Sequence, residues 1–381
     1  MPVKIVQLIT RLIVGGAQRI ALETAADLRR RGIDAEIWCG LQAGPEGSLA
    51  DEAAARGVPI VRVPPLVKEV APARDLAALR WITQRLRATR PDIVHTHSSK
   101  AGILGRWAAR KAGVPKVYHT IHGWGWSNET PAVARAAFVT AERSAARWAD
   151  RLIAVSERVR DEGLCRAIGR PDLYEVILPG IDTAAFADLG GIRERGRELR
   201  ARFGIPGDAI VAGTVGRLSP QKNPLAIIEA ARAFPQVHWL LVGDGPLRSK
   251  IEARARALGL EGRIHLAGLR RDVSDCLGAM DLFVLTSLWE GLPLTILEAR
   301  AAGLPIVAAD AGGTRDAVPP SPAGRTFAAG DDHALQRALG SLLADFPAAR
   351  EASLAARAHT VAESGIDRML AQILDLYGLS R

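Results

Sequence analysis

The 381-residue sequence lacks any long hydrophobic run: no stretch reaches the roughly 20 consecutive apolar residues that a membrane-spanning helix needs. Its first residues, up to Ile9, have the pattern of a β-strand, so we expect no signal peptide. Only three cysteines occur, widely spaced and in no C-x-x-C pair. This usage is typical of packing residues in a reducing cytosol and argues against a disulfide framework or a cysteine-based metal site.

Two short motifs that would indicate other enzyme classes are also absent. The pair Gly15 and Gly16 precedes a predicted helix, but the G-x-G-x-x-G spacing of dinucleotide-binding oxidoreductases is missing. The glycine pair still allows a phosphate or a sugar to approach backbone amides. No D-x-D sequence occurs, which disfavours a transferase whose metal is held by such a motif.

Basic residues exceed acidic residues, and almost all of the excess lies in the first half of the chain. The formal net charge is +9; residues 1–185 carry 27 Lys+Arg against 19 Asp+Glu, whereas residues 186–381 carry 23 against 22. Such a surface suits nucleic acid, an anionic membrane face or a phosphorylated lipid. Between Arg74 and Arg90, Leu76 and three further apolar residues recur at helical spacing among arginines. This pattern is typical both of a peripheral membrane helix and of a solvated helix face.

Strand-like and helix-like segments alternate along the whole chain, which predicts parallel sheets with crossover helices. Because the chain exceeds the size at which one core keeps growing, we expect two domains. The alternation breaks near Gly180 and resumes at Ile210. We predict domains over residues 1–182 and 207–362, a linker over 183–206, and a C-terminal helix over 363–381 that packs on the first domain. The predicted strands cover residues 4–9, 35–39, 60–63, 93–96, 116–121, 152–155, 174–178, 210–214, 239–242, 263–266, 282–285 and 306–308.

Two glutamates, Glu290 and Glu298, bracket the segment GLPLTIL, which follows an apolar strand and leads into a helix starting near Leu294. Ligands of open α/β sheets bind where such loops leave the carboxyl ends of strands, and a helix N-terminus directs amide N–H groups at an anion. The Glu298 carboxylate can accept hydrogen bonds from two sugar hydroxyls. Acidic residues near a helix start also favour the helix dipole without any ligand, so both interpretations stand at this point.

A second loop, GRLSPQKN, follows the first strand of the predicted second domain. Arg217 and Lys222 place a bidentate guanidinium fork and a point charge on this loop, a combination that suits a diphosphate. The turn at Gly243 follows the next strand in the same way. Its Gly-Asp-Gly sequence is also explained by turn chemistry alone.

Four histidines and two tryptophans follow strands of the predicted first domain. His95 and His97 would share one strand face, which makes a zinc site conceivable. Because cysteines and carboxylates are scarce nearby, we expect these histidines to line a polar cleft instead. Trp124 and Trp126, separated by a glycine, suit stacking on a sugar, contact with a lipid edge, or the hydrophobic core.

Taken together, these segments resemble family 4 of the retaining glycosyltransferases. The resemblance runs over nearly the whole chain, and it implies the GT-B architecture: two Rossmann-like, doubly wound parallel-sheet domains that face each other across a cleft. One departure is Pro179, where many relatives have asparagine before the following glycine. The matching segments are GGAQ at 15–18, VHTHSSKAG at 94–102, HG at 122–123, VSE at 155–157, GRLSPQKN at 216–223, VGDGP at 242–246 and EGLPLTILEA at 290–299.

The resemblance implies a role for each matched residue. Arg217 and Lys222 would hold the donor diphosphate, Glu298 the nucleotide ribose, and Glu290 the donor sugar, while His122 would lie beside the transferred sugar. We expect no metal site. The expected catalytic residues are His122, Arg217, Lys222 and Glu290; the expected donor site comprises Gly15, Gly16, Gly216, Arg217, Lys222, Gly243, Leu269, Glu290, Gly291, Leu292, Pro293, Leu294, Thr295 and Glu298; the expected acceptor contacts are Gln18, His97, Lys100 and Trp124.

The resemblance also implies the reaction. We expect a retaining, metal-independent transfer of a sugar from a UDP- or GDP-sugar to a hydroxyl of a glycan acceptor. A polyprenyl-diphosphate-linked oligosaccharide for capsule, exopolysaccharide or lipopolysaccharide is the expected acceptor, with a cytoplasmic enzyme that contacts the inner face of an anionic membrane and binds no nucleic acid. A soluble acceptor, a sugar-nucleotide 2-epimerase of the same fold and a binding-only protein are the alternatives.

Overall fold

The structure, a computed structural model, describes residues 3–42, 44, 47–126 and 130–380. These residues form two compact units: the first extends to Pro179 and resumes at Met369, and the second is Gly180–Arg368. The division therefore falls inside the segment where the sequence alternation breaks. The predicted linker over 183–206 lies within the second unit, as a 3₁₀ turn at Thr183–Phe186 and a helix at Leu189–Arg202.

The first unit contains a seven-stranded parallel sheet in the order β3-β2-β1-β4-β5-β6-β7. Every residue of the central strand Ile93–His97 is buried, as expected for a parallel strand that is covered on both faces. The strand order reverses between β1 and β4. The strands are β1 Lys4–Ile9, β2 Asp34–Cys39, β3 Ile60–Arg62, β4 Ile93–His97, β5 Lys116–Ile121, β6 Arg151–Ala154 and β7 Tyr174–Val176.

The predicted amphipathic helix between Arg74 and Arg90 is present as α3. Leu79, Ile82 and Leu86 are buried, but Leu76, which was predicted to share that face, is 46% exposed. The helices of this unit are α1 Gly16–Arg30, α2 Ala50–Ala55, α3 Pro72–Thr89, α4 Ser99–Ala112, α5 Ala132–Ala146 and α6 Glu157–Cys165; the C-terminal helix α15, Ile366–Tyr377, joins the unit at Met369.

The second unit contains a six-stranded parallel sheet in the order β10-β9-β8-β11-β12-β13, which reverses between β8 and β11. Its strands are β8 Ile210–Val215, β9 Val237–Val242, β10 Ile264–Gly268, β11 Leu282–Leu285, β12 Ile306–Asp310 and β13 Gly324–Ala328. Its helices are α7 Leu189–Arg202, α8 Leu225–Ala233, α9 Arg248–Ala257, α10 Val273–Gly278, α11 Leu294–Ala301, α12 Thr314–Ala317, α13 Asp332–Ala344 and α14 Phe346–Glu363.

Two hydrophobic cores lie on opposite faces of this second sheet. Leu282 and Val284 pack into one core, whereas Phe283 and Leu285 pack into the other. This alternation follows from the period of two residues in a strand. It explains why the strand sequence is a continuous apolar run rather than an alternating one.

The predicted α/β class with two doubly wound parallel sheets is confirmed, and each predicted strand is present. Strand β13 was not predicted, because its sequence GRTFA offers a single large apolar residue, Phe327, and it lies at the edge of the sheet. Of the three cysteines, Cys39 and Cys276 are buried as expected for packing residues, but Cys165 is exposed. In the described part of the chain, no helix has the length and apolarity that crossing a bilayer requires.

Helices α7 and α10 approach each other closely through glycines. A Cβ atom on Gly196 would lie 2.3 Å from the carbonyl carbon of Gly278, and a Cβ on Gly278 would lie 2.4 Å from the backbone oxygen of Ile192. Neither neighbour is a flexible side-chain end, so any added methyl group has to displace backbone.

We therefore expect Gly196→Ala to lower the free energy of unfolding by about 2 kcal/mol, because an overpacked contact forces the helices apart. Urea unfolding monitored by circular dichroism measures this change. Gly207→Ala is the matched control, since a Cβ there meets nothing within 4 Å. Equal midpoints for the two variants would contradict the close helix contact.

Candidate active site

The loops that follow β8 and β11 meet where the strand order of the second sheet reverses. The Leu288 amide donates to the Gln221 carbonyl at 2.8 Å, and the Gln221 side-chain amide donates to the Trp289 carbonyl at 2.9 Å. Ligands of doubly wound sheets bind at such a reversal, because the loops on either side of it diverge and leave a crevice. The structure thus joins the two loops that the sequence singled out.

An ion pair between Lys222 and Glu290 connects these loops. The side chain of Glu290 is only 9% exposed and that of Lys222 is 23% exposed, so both charges lie in a partly dehydrated setting. A lysine ammonium group has three N–H donors, and one contact with a carboxylate leaves donors for a further anion. Two of the predicted site residues therefore meet although they come from separate loops.

The hydroxyl of Thr286, which sequence reasoning did not select, fixes the backbone that carries Lys222. It donates to the carbonyl of Lys222 at 2.8 Å and to that of Asn223 at 3.0 Å, and the side chain is 2% exposed. Asn223 adopts a left-handed conformation with φ of 46°. The sequence signal was only a polar residue at the end of an apolar strand, which does not identify the carbonyls it contacts.

Glycines bring the loop after β9 against the loop after β8. A Cβ on Gly243, whose φ is 130°, would lie 2.0 Å from the Gly216 carbonyl oxygen, so a side chain cannot be accommodated there. The Gly216 amide donates to the Val242 carbonyl at 2.9 Å, and the Leu218 amide donates to the Asp244 backbone carbonyl at 3.0 Å. Gly216, Arg217, Lys222 and Thr286 line one small cavity in this region.

The start of helix α11 forms the other wall of this region. No side chain among the described residues caps the helix, which begins at Leu294 after Pro293. The Gly291 carbonyl accepts a hydrogen bond from the Gly313 amide at 2.7 Å, which holds the preceding loop in place. The Thr295 hydroxyl is buried without a hydrogen-bond partner in the described part of the chain. This helix start therefore offers polar donors that an anion or a sugar can use.

Three further predicted donor residues lie in the second unit. Glu298 is half-buried, one turn beyond Thr295 in α11. Leu269 follows β10, which is separated from β8 by β9, and its side chain is 53% exposed. The loop residue Leu292 packs beside the hydrophobic core of the unit.

In the first unit, the loops after β1 and β4 also meet where the strand order reverses. The Thr10 hydroxyl lies 2.7 Å from that of Ser98, and the Ala101 amide donates to Thr10 Oγ1 at 3.2 Å. Gly15 precedes helix α1, which begins at Gly16, and a Cβ on Gly15 would lie 2.6 Å from Gln18 Oε1. The predicted residues of this glycine segment are therefore adjacent at one helix start.

Two predicted acceptor residues are engaged within the first unit. The Lys100 ammonium donates to Asp75 Oδ1 at 2.6 Å and also contacts the Glu69 carbonyl. Trp124 stacks on Trp126 with ring centroids 5.0 Å apart, and its indole N–H donates to the Val159 carbonyl at 3.1 Å. Trp126 is 6% exposed and is a core residue.

The four histidines at the ends of β4 and β5 are close together. His97 Nδ1 lies 2.9 Å from His122 Nε2. Burial lowers the pKa of His122 and of His95 to about 3, and it holds the pKa of His97 and His119 well below the usual range. All four rings are therefore neutral near pH 7. Within residues 3–42, 44, 47–126 and 130–380, no group of three or more His, Cys, Asp and Glu is arranged to hold a metal ion.

We expect Thr286→Val to release the Lys222 loop, because it removes the hydroxyl proton that the carbonyls of Lys222 and Asn223 share. A net loss of about 1 kcal/mol corresponds to roughly five-fold faster hydrogen exchange at the Leu288 amide. Exchange measured by NMR checks this value. Thr286→Ser, which keeps the hydroxyl, is the control. Identical exchange in both variants would show that the Thr286 hydroxyl does not hold the Lys222 loop.

Comparison with known proteins follows the division into two units. Residues 14–185 match the family described as Glycosyltransferase Family 4, and residues 196–359 match Glycosyl transferases group 1. The UDP-Gal:alpha-D-GlcNAc-diphosphoundecaprenol alpha-1,3-galactosyltransferase of Escherichia coli is 34% identical over 79% of this chain and 78% of its own length. The GDP-mannose-dependent alpha-mannosyltransferase of Mycobacterium tuberculosis is 31% identical over 87% of this chain and 85% of its own length.

The fold is similar to that of solved GT-B enzymes. The crystal structure of Anabaena HepE in complex with UDP and glucose matches with a TM-score of 0.83, at 23% identity, over 99% of both chains. The chain therefore belongs to family 4 of the glycosyltransferases, and it is a glycosyltransferase of the GT-B fold.

Proposed function

We propose that this enzyme transfers a sugar, with retention and without a metal ion, from a UDP- or GDP-sugar to a hydroxyl of a polyprenyl-diphosphate-linked glycan. The observation that carries the proposal is the Lys222–Glu290 pair at the reversal of the second sheet. Arg217 lies on the same loop as Lys222, and Glu290 precedes the uncapped start of α11. This set of groups matches the chemistry of a sugar attached to a diphosphate.

Charge stabilisation of the leaving group is the main catalytic task of this site. Negative charge accumulates on the diphosphate as the sugar–phosphate bond breaks, and preorganised cations and amides stabilise that charge. Lys222 and Arg217 would supply these cations, and the N-terminus of α11 would supply the amides. Because these groups are part of the chain, the reaction as proposed requires no metal.

The two glutamates would divide the recognition of the donor. Glu290, which contacts Lys222, would accept hydrogen bonds from the donor sugar. Glu298, one turn into α11, would accept hydrogen bonds from the two ribose hydroxyls. The family resemblance supports retention of configuration by front-face attack, in which a leaving phosphate oxygen would accept the acceptor's proton.

The acceptor is proposed from the relatives and from charge. The Escherichia coli relative at 34% identity is named for a diphosphoundecaprenol-linked acceptor. The excess of cations in residues 1–185 suits an acceptor that carries phosphate at an anionic membrane surface. The two relatives are named for UDP- and GDP-linked donors respectively, so both nucleotides belong in the first screen.

One edge of the first unit has the features of a membrane contact. Leu41, Val70 and Leu76 are 58%, 73% and 46% exposed, and the exposed cations Lys68 and Arg74 alternate with them. Hydrogen bonds from Gln42 to Glu69 and from the Lys68 amide to Gln42, at 2.8 and 2.7 Å, hold the two loops together. Apolar side chains surrounded by cations are suited to the interface of an anionic bilayer.

We expect Lys222→Ala to reduce transfer by about 100-fold or more, because one preorganised charge on the leaving group is lost. Release of nucleoside diphosphate in the presence of acceptor measures transfer, and circular dichroism verifies the fold. Lys250→Ala, at an exposed lysine of α9, is the matched control. Unchanged turnover in Lys222→Ala would refute the assignment of the donor site.

We expect the protein to float with vesicles of phosphatidylcholine and phosphatidylglycerol but not with phosphatidylcholine alone. The triple variant Leu41→Ser, Val70→Ser, Leu76→Ser should bind about ten-fold more weakly, because three apolar side chains no longer enter the interface. Val133→Ser removes another exposed apolar residue, 84% exposed, and should float like the unaltered protein. No flotation with anionic vesicles, or equal loss in both variants, would exclude this surface as the membrane contact.

A further inference from the structure

A buried chain of hydrogen bonds connects the C-terminal helix to His122. Gln7 Nε2 donates to the Tyr377 hydroxyl at 3.1 Å, and Gln7 Oε1 lies 2.8 Å from His97 Nε2. His97 Nδ1 in turn lies 2.9 Å from His122 Nε2. At the other end, the Tyr377 hydroxyl lies 2.5 Å from His95 Nδ1. Gln7, His95 and His97 are fully buried and Tyr377 is 2% exposed, so water does not compete for the contacts among these four residues.

We propose that the Tyr377 hydroxyl is a positioning group that fixes, through Gln7 and His97, the ring proton of His122 on Nε2. The inference rests on the proposed function, together with the position beside the transferred sugar that the family resemblance implies for His122.

With the Gln7 amide oriented toward Tyr377, the directions of the two contacts of His97 follow from the inventory of donors. A carbonyl oxygen only accepts, so His97 Nε2 must carry a proton to contact Gln7 Oε1. A neutral ring has one N–H, which leaves His97 Nδ1 as an acceptor, and His122 Nε2 must then be the donor. His122 Nδ1 is consequently the unprotonated nitrogen. It would accept a hydrogen bond from a sugar hydroxyl rather than donate one.

The Tyr377 hydroxyl holds Gln7 in the orientation on which this series of hydrogen bonds depends. It accepts the amide proton of Gln7 and has its own proton available for His95 Nδ1. Without the hydroxyl, the Gln7 N–H would be buried without an acceptor. Reversing the amide would then be favoured, because a buried carbonyl is left unsatisfied at lower cost than a buried N–H. After this reversal His97 Nε2 would have to accept a hydrogen bond, so the His97 proton would move to Nδ1. His97 would then donate to His122 Nε2, and the His122 proton would move to Nδ1.

The neighbouring Tyr118 provides a matched control. Its hydroxyl donates to the Leu376 carbonyl in the same C-terminal helix at 3.0 Å, and its ring lies 5.1 Å from that of Tyr377. Tyr118→Phe therefore removes one hydrogen bond to the helix while the chain from Tyr377 to His122 is kept. Any effect of helix docking alone will appear in both variants.

The test compares Tyr377→Phe with Tyr118→Phe by ¹⁵N NMR of histidine-labelled protein, with His122→Asn used to assign the ring. We expect His122 to be protonated on Nε2 in the unaltered protein and in Tyr118→Phe, and on Nδ1 in Tyr377→Phe. An unchanged His122 tautomer in Tyr377→Phe would overturn the inference.

If Tyr377→Phe does not fold, Gln7→Leu breaks the same chain of hydrogen bonds at the next residue. This variant should give His122 a mixture of both tautomers. Protonation of His122 on Nε2 alone would overturn the inference.

Steady-state kinetics separate the inference from the proposed function. Tyr377→Phe should lower kcat about five-fold, the loss of one hydrogen bond, with the donor KM nearly unchanged, while Tyr118→Phe keeps kcat. A changed tautomer with unchanged kcat supports the hydrogen-bond chain and rejects the role of His122 in transfer. Equal losses of kcat in both variants would show that helix docking, and not the tautomer, causes the effect.

Discussion

The contact between Lys222 and Glu290 is the interaction on which the account of this enzyme depends. The two residues are 68 positions apart, and they meet because β8 and β11 are neighbours at the reversal of the second sheet. Thr286 and Gln221 fix the backbones on both sides of the pair, and the glycines at 216 and 243 allow a third loop to approach. A cation held in this way is already oriented before a diphosphate arrives. The order of the strands therefore determines where the charge of Lys222 is held.

Much of the fold could be predicted from the sequence, because strands buried on both faces leave continuous apolar runs such as LFVL in β11. Strand β13 could not, since an edge strand with one buried aromatic residue has no such run. Lys222 was selected with Arg217 and Glu290 with Glu298, each pair from its own segment, but the contact between Lys222 and Glu290 requires the strand order. Thr286 was missed because its partners are backbone carbonyls, which carry no sequence signal. Leu76 fitted the helical period yet is exposed, because the period identifies a helix face and not which of its residues the neighbouring elements cover.

The buried polar residues of the first unit could likewise be predicted only in part from the sequence. The period of a strand predicts that His95 and His97 share a face, and their rings lie 4.3 Å apart. It does not predict Gln7 and Tyr377, which are 370 residues apart and meet only when the C-terminal helix packs on this unit. Buried polar groups of this kind have to be fully hydrogen-bonded, so each one constrains the next. Hydrogen bonds thereby connect the C-terminal helix to His122, at the end of β5.

We propose that the diphosphate of the donor binds at the Lys222–Glu290 pair. A crystal structure of the protein with UDP or GDP, whichever raises the unfolding temperature, tests this binding mode. We expect a phosphate oxygen within hydrogen-bond distance of Lys222 Nζ and of the Arg217 guanidinium, in front of the first turn of α11. A diphosphate bound elsewhere, with Lys222 still contacting Glu290 alone, would contradict it.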